Sequence, residues 1–360
     1  MRGFSMPKID WWLLTPVGLL LIVSLTTLFS LNSSFFVNQL FTLSIGLTAF
    51  FVFSQIPYDI LKRLSLPLYI LAIILLVVVL IIGVESRGSV RWIYIFGFPL
   101  QLSEIFKPFV SVSFATFLAA GSNNSLRTYL LSLVLLSPLF FLVALQPDLG
   151  NALIYVLAAG IVLIVYGFPW KWFGLTALPF LLASPILWHF LHDYQKNRLL
   201  TFINPTSDPL GTSYNVIQAM IAVGSGMVMG KGLSQGTQSG LRFLPERQTD
   251  FIFASLSEGL GLLGAVIILL CFMALCYRIY RLFVRIDDPF CKMFAACTFS
   301  FILIHFFVNI GMNVGLLPIV GVTLPFVSYG GSSLLSNFIF LGILSSIASA
   351  HRRHTVLEIR

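Results

Sequence analysis

Charged residues are scarce in this chain. Only 9% of its 360 residues are Asp, Glu, Lys or Arg, while 58% are hydrophobic, and a soluble domain carries about 25% charged residues. A composition this apolar excludes a water-soluble enzyme. At roughly 20 apolar residues for each crossing, the length accommodates about ten transmembrane helices and one larger loop, and it leaves no room for a separate soluble domain.

The sequence also lacks strand-like alternation and internal repeats. Its apolar runs, such as 66–84, continue through both faces, which excludes the alternating pattern of an outer-membrane barrel. The fold class that remains is all-α, a polytopic integral membrane protein with about ten transmembrane helices and one large extracytoplasmic loop. Only four cysteines occur, all near expected cytoplasmic helix ends where disulfides are rare, and they are given no role: Cys271, Cys276, Cys291 and Cys297.

Ten apolar segments are predicted to cross the membrane. They are 11–31, 35–53, 66–84, 104–120, 128–145, 150–167, 170–191, 250–276, 290–313 and 324–350. We therefore expect residues 1–360 to form one membrane domain, with helices one to seven in 1–191 and helices eight to ten in 250–350. Residues 192–249 are predicted to form the large extracytoplasmic loop, and 351–360 a cytoplasmic tail. The first run is too long for a signal-peptide core, so we expect it to be retained as a helix.

The distribution of charge predicts the orientation. The formal net charge is +8, which in a soluble protein would suggest nucleic acid binding. With the N-terminus in the cytoplasm, thirteen of the 21 cations fall in inner segments, and the inner side carries the whole excess. This positive-inside pattern predicts a multi-pass membrane protein with both termini in the cytoplasm, so no nucleic acid partner is expected. Eight of the thirteen acids fall in the outer half, so chemistry should face outward.

Four acids and one lysine lie where hydrocarbon makes a charge costly. Glu104 and Lys107 are three residues apart at a predicted helix start, so they share one face and form either a snorkelling ion pair or part of a site. Asp148 is expected to cap the sixth span, and a cap is one interpretation of Asp250 at the start of the eighth. Glu258, about two turns deeper, needs a cationic partner, a water-filled cavity or a proton.

The remaining polar features are expected to be structural. His189 and His305 are interpreted as packed core histidines, with no metal cluster. The stretch 328–333, rich in Ser and Gly, suits a closely packed helix entrance more than chemistry. Within the outer loop, 214–228 is predicted to be either an amphipathic interfacial element or a re-entrant segment, and the sequence favours neither interpretation over the other.

Short motifs in a fixed order run from the third loop to the last span. The first are Arg91-Trp92-Ile93, Gln101-Leu102-Ser103-Glu104 with Lys107, Gln146-Pro147-Asp148-Leu149-Gly150, Phe202-Ile203-Asn204-Pro205 and Asp208-Pro209-Leu210-Gly211. They continue as Gly224-Ser225-Gly226, Gly230-Lys231-Gly232, Leu244-Pro245-Glu246, Thr249-Asp250-Phe251-Ile252-Phe253, Asn309-Ile310-Gly311-Met312, Gly315-Leu316-Leu317-Pro318 and Leu324-Pro325-Phe326-Val327-Ser328-Tyr329-Gly330-Gly331-Ser332-Ser333. Together these motifs resemble the SEDS family (shape, elongation, division and sporulation), in particular its RodA-type members.

The resemblance implies a ten-helix peptidoglycan glycosyltransferase. It would polymerise lipid II into glycan strands on the outer face of the cytoplasmic membrane, for cell-wall elongation and cell shape, and release undecaprenyl diphosphate. The resemblance also implies a class B penicillin-binding protein, a monofunctional transpeptidase, as partner. Asp250 matches the catalytic aspartate of the family. A sugar hydroxyl is a poor nucleophile, so a carboxylate within hydrogen-bond reach must take its proton.

The departing diphosphate needs preorganised cations or a divalent metal. A divalent cation such as Mg²⁺ or Mn²⁺ is therefore a candidate cofactor, and no organic cofactor is expected. Trp92 either stacks on a sugar ring or anchors the membrane interface, and Arg198 and Lys231 are alternatively solvated loop cations. The candidate substrate-binding residues are Arg91, Trp92, Glu104, Lys107, Asp148, Arg198, Lys231, Glu246 and Glu258.

Two functions of other classes remain open. A flippase for lipid-linked precursors would place ionisable groups near the bilayer midplane, whereas here they crowd the outer half, which favours the enzyme. A scaffold that merely positions the transpeptidase predicts that Asp250→Asn leaves cell-wall synthesis intact.

Overall fold

The chain folds into a bundle of helices with one small sheet. The computed structural model of the protein describes residues 10–86, 89–95, 97–204 and 213–358. Pro205 and the motif Asp208-Pro209-Leu210-Gly211 lie outside these residues. The described strands form one antiparallel sheet in the order β1-β2-β3, which the sequence analysis did not predict: β1 (Val84–Ser86), β2 (Ser89–Ile95) and β3 (Phe98–Leu100).

The helices follow the apolar runs closely. In chain order they are α1 (Trp11–Leu31), α2 (Ser33–Gln55), α3 (Tyr58–Arg63), α4 (Ser65–Ile82), α5 (Leu102–Ile105), α6 (Lys107–Ala120), α7 (Leu126–Leu145), α8 (Leu149–Tyr166), α9 (Trp170–Phe190), α10 (Asp193–Ile203), α11 (Tyr214–Ser225), α12 (Thr237–Gly240), α13 (Ile252–Arg285), α14 (Pro289–Asn313) and α15 (Gly331–Glu358). Several begin at a side chain that accepts a backbone N–H of the first turn, as the preference for Asn, Ser and Asp at this position predicts: Asn32, Ser125, Asp148 and Asp288.

Eight helices of the described part are long and apolar enough to cross a membrane: α1, α2, α4, α7, α8, α13, α14 and α15. The all-α polytopic fold is therefore confirmed, but the count of ten is not. The other two predicted spans correspond to α6 and α9. α6 has only 14 residues, and α9 is not among the helices that are apolar enough to count as candidate spans. The last predicted span begins too early, because 324–330 form an irregular turn and α15 starts at Gly331.

The predicted outer loop contains three helices. α10, α11 and α12 all fall within 192–249. Most of the stretch 214–228 is helical, since α11 runs from Tyr214 to Ser225 and buries Val216, Ala219 and Ala222 where it packs on α13 and α14; the interfacial and re-entrant interpretations both stay open. The loop is thus folded onto the bundle.

α13 is broken at Gly261, which has φ 68° and ψ −161°. This combination of φ and ψ is essentially restricted to glycine and costs other residues on the order of 1–3 kcal/mol, so glycine suits the break. Breaking a helix frees backbone groups that hydrocarbon cannot hydrogen-bond. The outer loop supplies partners: Leu262 donates its N–H to the Met227 carbonyl, and Lys231 donates its N–H to the Glu258 carbonyl, each at 2.9 Å.

The two ends of the bundle differ. At one end, which we call the basic end, α1 begins beside the last turns of α13 through an ion pair between Asp10 and Arg278. At the other end, which we call the site end, the sheet, α5, α10 to α12 and the segment 314–330 gather around the start of α13. α14 and α15 run between the two ends in the centre, with 72% and 78% of their apolar windows buried.

Candidate active site

Asp250 lies just before α13 at the site end, on a backbone held from two sides. Its carbonyl accepts hydrogen bonds from the side-chain amides of Asn309 and Asn313 on α14, each at 3.0 Å. The carbonyl of Thr249 accepts a hydrogen bond of 2.7 Å from the Ser328 hydroxyl. The backbone that carries the candidate carboxylate is therefore positioned by α14 and by the turn that precedes α15.

The Asp250 carboxylate and the Arg198 guanidinium converge on Gly321. A Cβ atom built on Gly321 would lie 3.3 Å from Asp250 Oδ2 and 3.9 Å from an Arg198 terminal nitrogen. The φ of Gly321 is 71°, a conformation that favours glycine, and the absence of a side chain lets both groups lie close to its backbone. Asp250 is half-buried and Arg198 is exposed, so both groups are accessible to a ligand.

Helix α10 carries Arg198 to this position. A capping box closes its first turn, in which Gln195 accepts the His192 backbone N–H at 2.9 Å. The Tyr194 hydroxyl donates to the Pro147 carbonyl at 2.8 Å. The Arg198 guanidinium carbon lies 5.6 Å from the centre of the Tyr194 ring, within cation–π range. These contacts tie α10 to the turn before α8 and orient the arginine.

A buried polar cluster surrounds Lys107. Its ammonium donates to Glu104 Oε1 at 2.6 Å and to Asn151 Oδ1 at 2.9 Å, and it lies 2.8 Å from His305 Nε2. An ammonium has three donors, so every donor of Lys107 has a protein acceptor once His305 holds its proton on Nδ1, which lies 3.2 Å from the Thr323 carbonyl. The pair with Glu104 is therefore confirmed, but it is buried and does not snorkel.

Asp148 links this cluster to the sheet. Its Oδ2 accepts hydrogen bonds from Gln101 Nε2 at 2.6 Å and Asn151 Nδ2 at 2.9 Å. Its Oδ1 accepts the Asn151 backbone N–H at 3.3 Å, which confirms the predicted cap of the sixth span. Arg91, on β2, forms an ion pair of 3.4 Å with the same oxygen. The carboxylate thus joins three elements and is almost fully buried.

Glu258 is fully buried and fastens the outer loop to α13. One carboxylate oxygen accepts the Gln238 N–H at 2.9 Å, and the other accepts the N–H and the hydroxyl of Ser239 at 2.8 and 2.7 Å. Lys231 Nζ lies 3.4 Å from the first oxygen. Of the three situations expected for this residue, the cationic partner is the one observed, with Thr237 adding a hydroxyl contact at 3.2 Å.

Glu246 and Trp92 lie at the site end, and their contacts with the protein do not indicate which ligand, if any, they bind. Both are half-buried. The Thr249 hydroxyl lies 3.1 Å from Glu246 Oε2, and Trp92 sits opposite Val84 in the sheet. The two interpretations of Trp92 therefore both stay open, and the substrate-binding role of Glu246 stays a prediction.

Arg247 is a buried cation that the sequence analysis missed. Its guanidinium donates to the Ser239 carbonyl, and its own carbonyl accepts the Ser255 hydroxyl at 3.0 Å. Burial, followed by the charge of Arg242, lowers the pKa of Arg247. Its position between the outer loop and α13 could have been suspected only from its place in the Glu246 to Asp250 segment, since no motif names it.

Two interpretations of single residues are wrong. His305 is buried in the core as predicted, with its ring also in contact with Lys107, but His189 is exposed rather than packed. The cap at Asp250 is not formed, because α13 begins at Ile252 with Phe251 at the cap position and no side-chain hydrogen bond there.

The predicted site residues form three groups. Arg91, Glu104, Lys107 and Asp148 share one polar network with Gln101, Asn151 and His305. Lys231 and Glu258 form the second group, and Asp250 with Arg198 forms the third. Of these groups, only the third places a half-buried carboxylate and an exposed cation beside the same glycine, which is the arrangement needed to accept a proton and bind an anion.

Comparisons with known proteins identify the family. A sequence profile of the family described as cell cycle protein, with FtsW, RodA and SpoVE as members, matches residues 5–353. The protein named peptidoglycan glycosyltransferase MrdB, from Escherichia coli (strain K12), is 42% identical over 313 residues, which cover 86% of this chain and 84% of that protein.

Solved structures give the same result. A chain from the structure described as structural coordination of polymerization and crosslinking by a peptidoglycan synthase complex has a TM-score of 0.82 and 28% identity, and the match covers 96% of this chain and 98% of that one. The rod shape determining protein RodA of Thermus thermophilus has a TM-score of 0.71 and 26% identity, with 96% and 97% covered. The chain therefore belongs to the SEDS family, the family of FtsW, RodA and SpoVE, and is of the RodA type.

Proposed function

We propose that this chain is a peptidoglycan glycosyltransferase that polymerises lipid II, with Asp250 as its general base. The observation that carries the proposal is the convergence of Asp250 and Arg198 on Gly321. A proton acceptor and an anion-binding group then lie close together beside one glycine, as transfer from a diphosphate-linked sugar requires. The names of the relatives support peptidoglycan synthesis as the process.

In the proposed reaction, the 4-hydroxyl of the acceptor sugar attacks the anomeric carbon of the lipid-linked donor. The Asp250 carboxylate takes the hydroxyl proton as the new C–O bond forms. The bond between the anomeric carbon and the diphosphate oxygen breaks with its electron pair, so undecaprenyl diphosphate leaves and the anomeric configuration inverts. Arg198 offers a planar fork of donors that matches phosphate oxygens.

The other predicted cations support the site rather than the leaving group in this proposal. Lys107 has all its donors on protein acceptors, Arg91 pairs with Asp148, and Lys231 pairs with Glu258. Direct contact of any of them with the diphosphate requires these bonds to open. Their substrate-binding roles stay predictions.

A bound divalent cation would need metal-ligating side chains close to one another in the fold. Among the residues that the structure describes, no three His, Cys, Asp or Glu side chains gather into a group that could bind a metal ion. Because Mg²⁺ is usually held by only one or two carboxylates together with substrate phosphates, the divalent cation stays a prediction, and the proposal routes no step through it. Activity of the purified enzyme in EDTA, restored or not by Mg²⁺ or Mn²⁺, measures the requirement.

The site end is proposed to face outward from the cytoplasmic membrane. The orientation rests on the positive-inside rule, because cations outnumber acids near the basic end. The described side chains there are Lys62, Arg63, Arg127, Lys171, Arg278, Arg281, Arg285 and Lys292 against Asp10, Asp59, Asp287 and Asp288. A class B penicillin-binding protein is the proposed partner, and elongation of the wall is the proposed process. The synthase complex among the similar structures supports a transpeptidase partner.

The decisive experiment compares lipid II polymerisation by wild type, Asp250→Asn and Asp193→Asn, each co-purified with the transpeptidase partner. Asp193 is the matched control, because it is a site-end aspartate whose side chain is 99% exposed. General base catalysis contributes about 10²–10⁴-fold, so Asp250→Asn should lose at least about 100-fold of the glycan ladder, and Asp193→Asn should keep wild-type turnover.

Wild-type chain formation by folded Asp250→Asn would refute the base. If no protein forms chains although the partner is bound, a lipid II flipping assay in vesicles tests the alternative that the chain is a flippase.

Arg198 is tested by a matched pair on one helix. Arg198→Gln should raise the KM for lipid II or lower kcat by at least about tenfold, since charged hydrogen bonds contribute about 1.5–3 kcal/mol. Lys196→Gln removes a cation two residues earlier on α10 that pairs with exposed Asp193, and it should change neither value by more than about twofold. Equal effects of the two substitutions would remove Arg198 from the proposed site.

A further inference from the structure

A large groove at the basic end is not used by the proposed reaction. It runs between α1 and α13, has a volume of about 1090 Å³ and is walled mainly by apolar side chains. Pockets for drug-sized ligands measure about 300–1000 Å³, so this groove is large enough for a longer apolar molecule. Trp11 and Trp12 flank it and are 68% and 79% exposed.

Three arginines follow one another along one wall. Arg278, Arg281 and Arg285 are spaced by three and four residues on α13, so they share one helix face, and all three line the groove. At 1.5 Å per residue, the outer two are separated by about 10 Å along the axis. Arg278 forms an ion pair with Asp10. Among the residues that the structure describes, neither Arg281 nor Arg285 forms an ion pair.

The groove therefore has two distinct parts. Its far part, around Leu270, is apolar, and its part at the basic end carries three cations against the one carboxylate of Asp10. The Arg281 guanidinium carbon lies 5.8 Å from the centre of the Tyr277 ring, within cation–π range, which restrains the cation at the groove. Indole rings at the same level are typical of the membrane interface.

We propose that this groove binds one anionic phospholipid, with its phosphodiester on Arg281 and Arg285 and an acyl chain along the apolar wall toward Leu270. Arginine suits the headgroup because its planar fork pairs with phosphate oxygens and is weakly hydrated. The charge is concentrated at one end and the wall beyond it is apolar, which matches a lipid. A transmembrane helix of a partner would instead meet complementary packing along its whole length.

The test measures lipid binding to the full-length protein in detergent. Dibrominated phosphatidylglycerol and dibrominated phosphatidylcholine are titrated separately, and quenching of tryptophan fluorescence reports contact. The protein has 6 tryptophans, so the variant Trp11→Phe with Trp12→Phe identifies the part of the signal that comes from the groove. Phosphatidylglycerol should quench this part at a lower concentration than phosphatidylcholine.

Charge substitutions then locate the headgroup. An anionic surface contributes about fivefold in affinity for each arginine near it, so Arg281→Gln with Arg285→Gln should weaken phosphatidylglycerol binding about 25-fold. The control variant, Arg127→Gln with Lys171→Gln, removes two exposed cations of the basic end away from the groove, and it should change binding less than about twofold. Thermal unfolding of each variant checks that the fold is kept.

Three outcomes overturn the proposal. One is equal quenching of the groove signal by the two lipids. Another is an equal loss in the control variant, which would indicate attraction to the whole basic end. The third is that the co-purified transpeptidase prevents quenching of the groove signal and is lost from the double arginine variant. This result would make the groove a docking site for a helix of the partner. If the glutamine variant does not fold, Arg281→Lys with Arg285→Lys keeps the charge and should weaken binding by less than tenfold.

Discussion

Replacing Lys107 by methionine should destabilise the protein more than replacing Lys107 and Glu104 together. The side chains of the two residues are 2% and 7% exposed, and their charged atoms lie 2.6 Å apart. Removing one partner leaves the other charge buried, at a cost of about 3–5 kcal/mol. Replacing both by neutral residues of similar volume is often close to neutral. We therefore expect Lys107→Met to lower the free energy of unfolding by about 3–5 kcal/mol. The double variant Lys107→Met with Glu104→Gln should be lowered by much less.

The assay is thermal unfolding of the purified variants in one detergent, followed by lipid II polymerisation. Lys196→Met is the matched control, because Lys196 pairs with exposed Asp193 at 4.0 Å and such surface pairs contribute about 0–1 kcal/mol. A single variant as stable as wild type, or a double variant no more stable than the single one, would refute the reasoning. A stable double variant that makes no glycan would support the predicted role of the Lys107 cluster at the site, and a fully active one would limit Lys107 to stabilising the fold.

Three other substitutions test the site end. Gly321→Ala should cost about 1–2 kcal/mol of stability because of its positive φ, which melting curves measure. It should also lower the rate of polymerisation at least tenfold, since the new methyl group lies 3.3 Å from the Asp250 carboxylate. Product ladders measure this rate, and unchanged turnover would contradict a reaction site beside Gly321. Glu258→Gln should cost about 1.5–3 kcal/mol, because charge-assisted hydrogen bonds to two backbone N–H groups are weakened, and faster proteolysis of the outer loop should accompany it; a loop as protected as in wild type would show that the carboxylate does not fasten it. Asn309→Leu removes one of two amides on the Asp250 carbonyl, so kcat should fall while the KM for lipid II changes little, and a pure KM effect would contradict a positioning role.

The helical bundle was largely predictable, because the apolar runs are long and continuous. α1 has the predicted bounds, and α14 begins one residue before the predicted 290. Composition cannot predict where a helix breaks once it is inside the bundle. The break at Gly261 depends on backbone partners from the outer loop, and the turn 324–330 depends on Ser328, whose hydroxyl accepts the Leu324 N–H at 2.8 Å. The backbone partners at the break are distant in sequence, and the same Ser328 hydroxyl also donates to the Thr249 carbonyl, 79 residues away.

The candidate site was predictable in part for a similar reason. Asp148 and the Glu104–Lys107 pair follow from local spacing, and both were confirmed as contacts. The role of His305 did not follow, because Lys107 is 198 residues away in sequence. Arg247 was missed because its partner, the Ser239 carbonyl, is a backbone group that leaves no sequence signal. Contacts made by residues on different helices have no fixed spacing that a single sequence could reveal.

The way Asp250 is held bears on how the site works. Its carbonyl accepts hydrogen bonds from the side-chain amides of Asn309 and Asn313 on α14. The carbonyl of the preceding residue, Thr249, accepts one from the Ser328 hydroxyl in the turn before α15. These groups fix the backbone and leave the carboxylate beside Gly321. A general base must lie within about 2.6–3.2 Å of the proton it takes, so a displacement of even 1 Å reduces its efficiency. Rigidity therefore has to come from the central helices, because α13 itself is broken eleven residues beyond Asp250.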